Sequence, residues 1–123
     1  MLAALLLAAT LVSQYGTTWQ ALGSRVVTRN ADHDTIMVVW AEGTFHAVKL
    51  TVRGSPIRIH RVIVHFEKGE PLELALHGLV PDGGESRTLH VKGAPRAIRS
   101  VDVWYDPNSV SHTGAVVELD GRD

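Results

Sequence analysis

The sequence predicts an all-β fold, an antiparallel β-sandwich built around two related β-hairpins and preceded by an apolar, signal-like N-terminal segment. Three observations carry that prediction. Beyond residue 18 apolar residues recur with period two, the mark of strands with one buried face. Short apolar runs are separated by clusters with turn chemistry, Glu67-Lys68-Gly69-Glu70, Pro81-Asp82-Gly83-Gly84 and Asp106-Pro107-Asn108-Ser109. Finally, VRGSPIRIHRVIVHF, from Val52 to Phe66, is echoed by VKGAPRAIRSVDVWY, from Val91 to Tyr105.

The elements follow in chain order. Leu2 to Leu11 and then Val12 form an apolar and small-residue run, too short to span a bilayer comfortably but right for the core of a secretory leader. No Lys or Arg precedes Arg25, so the usual basic start is missing, and Ala8-Ala9-Thr10 is the nearest approach to a small-x-small cleavage site. The expectation is a leader over residues 1–18 and one sandwich domain over residues 19–123. Thr35 to Trp40 is β-branched and aromatic on both faces, which predicts a strand covered on both sides. Val48, Leu50 and Val52 alternate with Lys49, Thr51 and Arg53, and Gly54-Ser55-Pro56 supplies a turn.

Ile57 and Ile59 continue the inward face, but the next inward set is Val62, Val64 and Phe66. That one-residue slip at His60-Arg61 predicts a β-bulge, since without one every later side chain would change faces. The second copy repeats the pattern: Leu89 and Val91, the Gly93-Ala94-Pro95 turn, Ile98, a slip at Arg99-Ser100, then Val101, Val103 and Tyr105 facing inward. Matching turn, bulge and core phase mark the echo as scaffold, one hairpin unit used twice, once in each of two packed sheets. Leu72, Leu74 and Leu76 form another strand, and Ala115, Val117 and Leu119 close the chain.

The totals limit function. A chain of 123 residues with 12 basic and 13 acidic residues carries a net charge of −1, and its cations are scattered. That excludes the clustered basic footprint of a nucleic-acid binder and gives no reason to expect an anionic membrane surface as partner. The absence of cysteine excludes disulfides, thiolate nucleophiles and sulfur-ligated zinc.

WQALGSRVV, HAVKLTV, IRIHRVIVHFEKGE, GGESRTLHVKG, RAIRSVDVWY and a final GAVVELDG, in that order, resemble a family of small bacterial periplasmic proteins classed as a domain of unknown function. The resemblance covers about residues 19 to 121, through Leu-Gly near the first strand, Gly before Ser-Arg, and paired apolar strand positions. It implies export and an all-β fold, and carries no catalytic residues.

Candidate chemistry is sparse. Seven histidines make metal binding worth weighing, and Asp32-His33-Asp34 with a distant His112 is the best ligand set, although neighbouring side chains diverge in an extended chain. His60 and His65 fall on the outward side of the first copy, where the second has Arg99 and Trp104, which favours exposed strand residues over a shared metal site. Gly84-Glu85-Ser86 lacks the closing Gly and the strand-then-helix setting of a nucleophile elbow, so Ser86 is expected to support the turn and Arg87 to pair with a carboxylate. Trp104 is out of phase with the core, and with Tyr105 and Trp40 it forms the candidate ligand-binding set for a glycan or protein partner.

The expected function is therefore non-enzymatic: an exported periplasmic or secreted sandwich with a binding or structural role in the bacterial envelope. No cofactor is expected, nor nucleic acid, nor a stable membrane span after processing. A metal-binding protein using the Asp/His cluster and a carbohydrate-binding module are the alternatives.

Overall fold

The computed structural model describes residues 18–123, so the expected leader lies outside the described residues apart from Thr18. In chain order the strands are β1 (Gln20–Val27), β2 (His33–Met37), β3 (Ala47–Arg53), β4 (Ile57–Phe66), β5 (Leu72–Leu74), β6 (Gly78–Val80), β7 (Leu89–His90), β8 (Ile98–Asp106) and β9 (Ala115–Arg122), with one turn of 3₁₀ helix at Pro107–Ser109. They form two antiparallel sheets, a first of order β1-β9-β3-β7 and a second of order β2-β8-β4-β5, in which β6 also pairs with β4. The fold is the expected all-β sandwich. Among the described residues no helix is long and apolar enough to cross a membrane.

The alternating residues read from the sequence build the interior. Val48, Leu50 and Val52 of β3 and Val117 and Leu119 of β9 face Ile57, Ile59, Val62 and Val64 of β4 and Val101, Val103 and Tyr105 of β8, all buried. Burying such a side chain stabilises the fold by about 1.5–3 kcal/mol each relative to exposure. Both predicted bulges are present: the β4–β8 register shifts between Ile59 and Arg61, and again where Arg99 loops out between the pairs His65↔Ser100 and Phe66↔Ile98. Each bulge restores the inward phase of its own strand.

The repeated unit, however, is not a hairpin. β3 lies in the first sheet and β4 in the second, and so do β7 and β8 respectively. Each copy is an arch that crosses from one sheet to the other, and the copies pair with one another, β3 with β7 and β4 with β8. The equivalent glycines Gly54 and Gly93 take φ of 91° and 89°, which only glycine adopts cheaply, and so turn both crossings alike. Alternation reports which face a residue takes; it does not say whether the next strand continues in the same sheet.

The expectation for Thr35 to Trp40 also needs correction. β2 ends at Met37 and, among the described residues, is an edge strand paired only with β8. Ile36 is buried, but Met37, Val39 and Trp40 are 49%, 68% and 56% exposed. An edge position leaves the outward half of that apolar run uncovered.

Ser86 supports its loop as expected: its buried hydroxyl accepts from the Leu50 amide at 2.9 Å and donates to the Arg87 carbonyl. Glu85 instead pairs with Lys49 at 2.9 Å, and Arg87 donates to the carbonyl oxygen of Ala75 rather than to a carboxylate.

Candidate functional site

One end of the sandwich is formed by the connections after β2, after β4 and before β8. Two adjoining cavities lie there, about 370 Å³ lined by Val38, Val39, Ala41 and Phe45, and about 440 Å³ lined by Thr44, Lys68, Pro95 and Arg96. Glu67 and Ala97 line both, so the two form one cleft. Each volume falls in the ordinary range for small-ligand pockets. Trp40 sits in sequence between two lining residues.

Backbone bonds hold this cleft open. Phe45 and Arg96 exchange amide-to-carbonyl bonds at 2.9 and 3.1 Å, the Val38 amide donates to the Arg99 carbonyl at 3.0 Å, and the Glu67 amide donates to the Ala97 carbonyl at 3.0 Å. The Arg96 guanidinium lies 3.6 Å above the Phe66 ring and donates through Nη2 to the Lys68 carbonyl at 2.8 Å. Stacked and tethered, it is a preorganised cation in the cleft wall, with N–H donors beyond the one given to Lys68. At the other side, the amides of Val39 and Trp40 both donate to the Leu22 carbonyl, at 2.9 and 3.1 Å. The exposed Trp40 is thereby anchored by backbone to the first sheet.

A second cluster covers the outer face of the second sheet. Asp102 on β8 accepts from the Thr35 hydroxyl at 2.5 Å and lies 2.6 Å from His65 Nε2. His33 Nε2 approaches it to 3.3 Å without the alignment of a hydrogen bond. Burial pushes the Asp102 carboxyl up, but Thr35, His65 and His33 outweigh that and hold it below the ordinary aspartate value. His33 stacks on Trp104 with ring centroids 4.4 Å apart, and the Arg61 guanidinium lies 5.2 Å from the Trp104 ring, itself paired to Glu73 at 3.0 Å.

The structure separates the residues singled out from sequence. Trp104 does face outward, but His33 and Arg61 flank its ring, so it offers no free platform. Tyr105 is 1% exposed and donates its hydroxyl to Asp34 Oδ2 at 2.7 Å. Burial, that bond and the Asp34 charge push the phenol far above its ordinary range, and the ring is unavailable to a ligand. Trp40 alone of that set presents an open ring.

The four metal candidates do not converge. Asp34 is held by Arg25 at 3.1 Å and by Tyr105, His33 belongs to the Trp104 stack, and His112 lies 3.2 Å from Arg29 Nη1. Among the described residues no group of three or more His, Cys, Asp or Glu is placed to hold a metal. Successive strand residues point to opposite faces, and that divides Asp34 from His33.

Asp34 thus joins three strands, through Arg25 of β1, its own β2 and Tyr105 of β8. Tyr105→Phe is expected to cost about 1–2 kcal/mol in urea unfolding, because Asp34 loses a buried donor while packing is retained.

Sequence reasoning placed His65 outward but missed its bond to Asp102, and it missed Arg96 and Glu67 entirely. The signal for His65 was weak: it is four residues from Arg61 on one strand, and its partner Asp102 is read only from the β4–β8 register.

Comparison with known proteins agrees with this architecture. The chain matches a domain of unknown function, DUF2541, over residues 1–121. It belongs to the DUF2541 family. No curated protein matches it. Among solved structures, this DUF2541 chain is similar to Pseudomonas aeruginosa AlgX, with 12% identity and a TM-score of 0.51 over 82% of its length, covering 26% of AlgX. It is also similar to a candidate alpha-L-fucosidase from Bacteroides thetaiotaomicron, with 10% identity and a TM-score of 0.52 over 85% of its length, covering 22% of that protein. A mutant family 29 carbohydrate-binding module aligns at 10% identity and a TM-score of 0.40, over 88% of this chain and 80% of the module. The DUF2541 chain therefore spans about a quarter of the first two proteins, and at such identities the likeness is one of fold.

Proposed function

We propose that this chain is an exported, non-catalytic binding domain that holds a glycan in the loop-end cleft, with Trp40 as its stacking platform. The observation that carries the reading is the coincidence, at one end of the sandwich, of the exposed Val39-Trp40 pair with the paired cavities. An indole face suits the apolar face of a sugar ring, and the planar Arg96 and Glu67 groups that line the cleft suit hydroxyls. Loops held on a rigid sandwich are where binding residues concentrate. The fold likeness to a portion of a protein named for acting on a fucoside supports the same ligand class. The apolar run of residues 2–12 supports export, and the even charge balance supports a partner other than nucleic acid.

Affinity electrophoresis through gels containing neutral or acidic polysaccharides tests this. Retardation by at least one polysaccharide is expected, and Trp40→Ala should weaken it about thirtyfold, the scale of losing an aromatic hot spot. Trp104→Ala should change it by no more than about threefold, because that ring is already flanked. Migration unaltered by every polysaccharide, or retardation indifferent to Trp40, would remove the reading.

A further inference from the structure

At the opposite margin from β1 and β2, each sheet ends in a very short strand. β7, with two residues, borders the first sheet, and β5, with three, borders the second. So little pairing leaves a seam between the sheets, and a cavity of about 340 Å³ lies in it. Its apolar lining comes from Leu72, Leu74 and Leu89, of which Leu74 and Leu89 also belong to the core. Its charged lining comes from Arg87, Lys92 and Glu73.

The charges at this seam are not balanced. Glu73 is engaged by Arg61 at 3.0 Å, and Glu85, the acidic neighbour of Arg87 in sequence, is engaged by Lys49 at 2.9 Å. Among the described residues neither Arg87 nor Lys92 forms an ion pair, and Arg87 gives one donor to the Ala75 carbonyl. The result is a leucine-lined slot whose rim carries two cations without counter-charge. A neutral sugar would leave those cations unanswered, and a small inorganic anion would leave the half-buried Leu72, the most open leucine of the lining, uncovered.

We propose that the β5–β7 seam is a separate binding site for a single-chain alkyl carboxylate, its chain along Leu72, Leu74 and Leu89 and its head group between Arg87 and Lys92. The volume is at the small end of ligand pockets, which suits one alkyl chain and no larger lipid. The site is independent of the loop-end cleft, so either can fail without the other.

Calorimetric titration of the protein with decanoate, below its micelle concentration and at low salt, tests this. Saturable binding is expected, and each methylene from octanoate to dodecanoate should tighten it about fourfold while the slot is filling. Decanol should bind at least about tenfold more weakly, having the chain without the charge. Lys92→Gln should weaken decanoate about fivefold, the scale of an exposed ion pair, and leave decanol unchanged. Among the described residues Lys92 forms no ion pair, so this variant keeps the test clear of misfolding, whereas Arg87→Gln also removes the tie to Ala75. No saturable binding of decanoate, equal binding of decanol, or indifference to Lys92→Gln would each overturn the assignment. So would tighter binding of decyl phosphate than of decanoate, or equal binding of a glutamate-rich peptide.

Discussion

A Gly23→Ala variant is expected to lose about 3 kcal/mol of stability, the upper end of what forced overpacking costs, and to release the loop that carries Trp40. A Cβ on Gly23 would lie 2.0 Å from the Met37 carbonyl oxygen and 3.1 Å from its carbon. That neighbour is backbone and cannot rotate away. β1 must either leave its place against β9, where its register already shifts between Ala21 and Gly23, or push the end of β2 outward. The second route breaks the bonds from Val39 and Trp40 to the Leu22 carbonyl. Urea unfolding of Gly23→Ala beside Ser24→Ala, with indole fluorescence following the Trp40 environment, checks this. Equal stability of the two variants would show that the contact relaxes freely. The Leu-Gly pair noted in the sequence is thus a packing device: Leu22 is fully buried, and Gly23 admits the neighbouring chain.

Wild-type stability is expected to fall as pH rises from about 4 to about 7, and Asp120→Asn to remove that fall. Asp120 is on the outward face of central strand β9, yet the residue is 6% exposed. Burial, then a hydrogen bond with Glu118 and the Glu118 charge, push its carboxyl up to about 7, against a smaller opposing pull from Lys49. The folded pKa is raised, so the native state holds a proton that the unfolded chain has already lost above the ordinary aspartate range. Between those two values the native state binds more protons than the unfolded state, and stability declines with pH. Above about 7 the penalty is complete. Asp120→Asn should therefore raise stability at pH 8 on the order of 2 kcal/mol and leave it nearly unchanged at pH 4. Parallel thermal melts at those pH values read the difference directly. An Asn variant that melts below wild type at pH 8 would mean that the ionised carboxylate is well satisfied.

Asp102 has the opposite sign. Its lowered folded pKa contributes stability above the ordinary aspartate range that is lost as the solution is acidified through the folded value. The two aspartates thus act in adjacent pH windows, one on each sheet.

Much of the fold was legible because a strand writes its buried face into the chain every second residue. Val48 to Val52, Ile57 to Phe66 and Val101 to Tyr105 announced the interior, and the phase slips at His60-Arg61 and Arg99-Ser100 announced the bulges. Trp104 was correctly placed outward by the same rule. Which rings stay open was not legible. Trp104 loses its faces to His33 and Arg61 only because β2 and β4 flank β8 in that register, whereas Trp40 lies beyond the end of β2, in the connection tied by backbone to Leu22, and stays exposed.

By itself, then, the sequence determined the class of fold, the composition of the core, the bulges and the two glycine turns, since all of these are set by residues within a few positions of one another. Only the tertiary structure decided that each repeat crosses between sheets, that Asp32, His33, Asp34 and His112 part company, and that Arg96, Glu67 and Trp40 gather at one end. Those outcomes depend on which strands pair and in what register. Pairing is settled by the joint burial of faces far apart in the chain, and alternation along a single strand is the same whichever neighbour it finds.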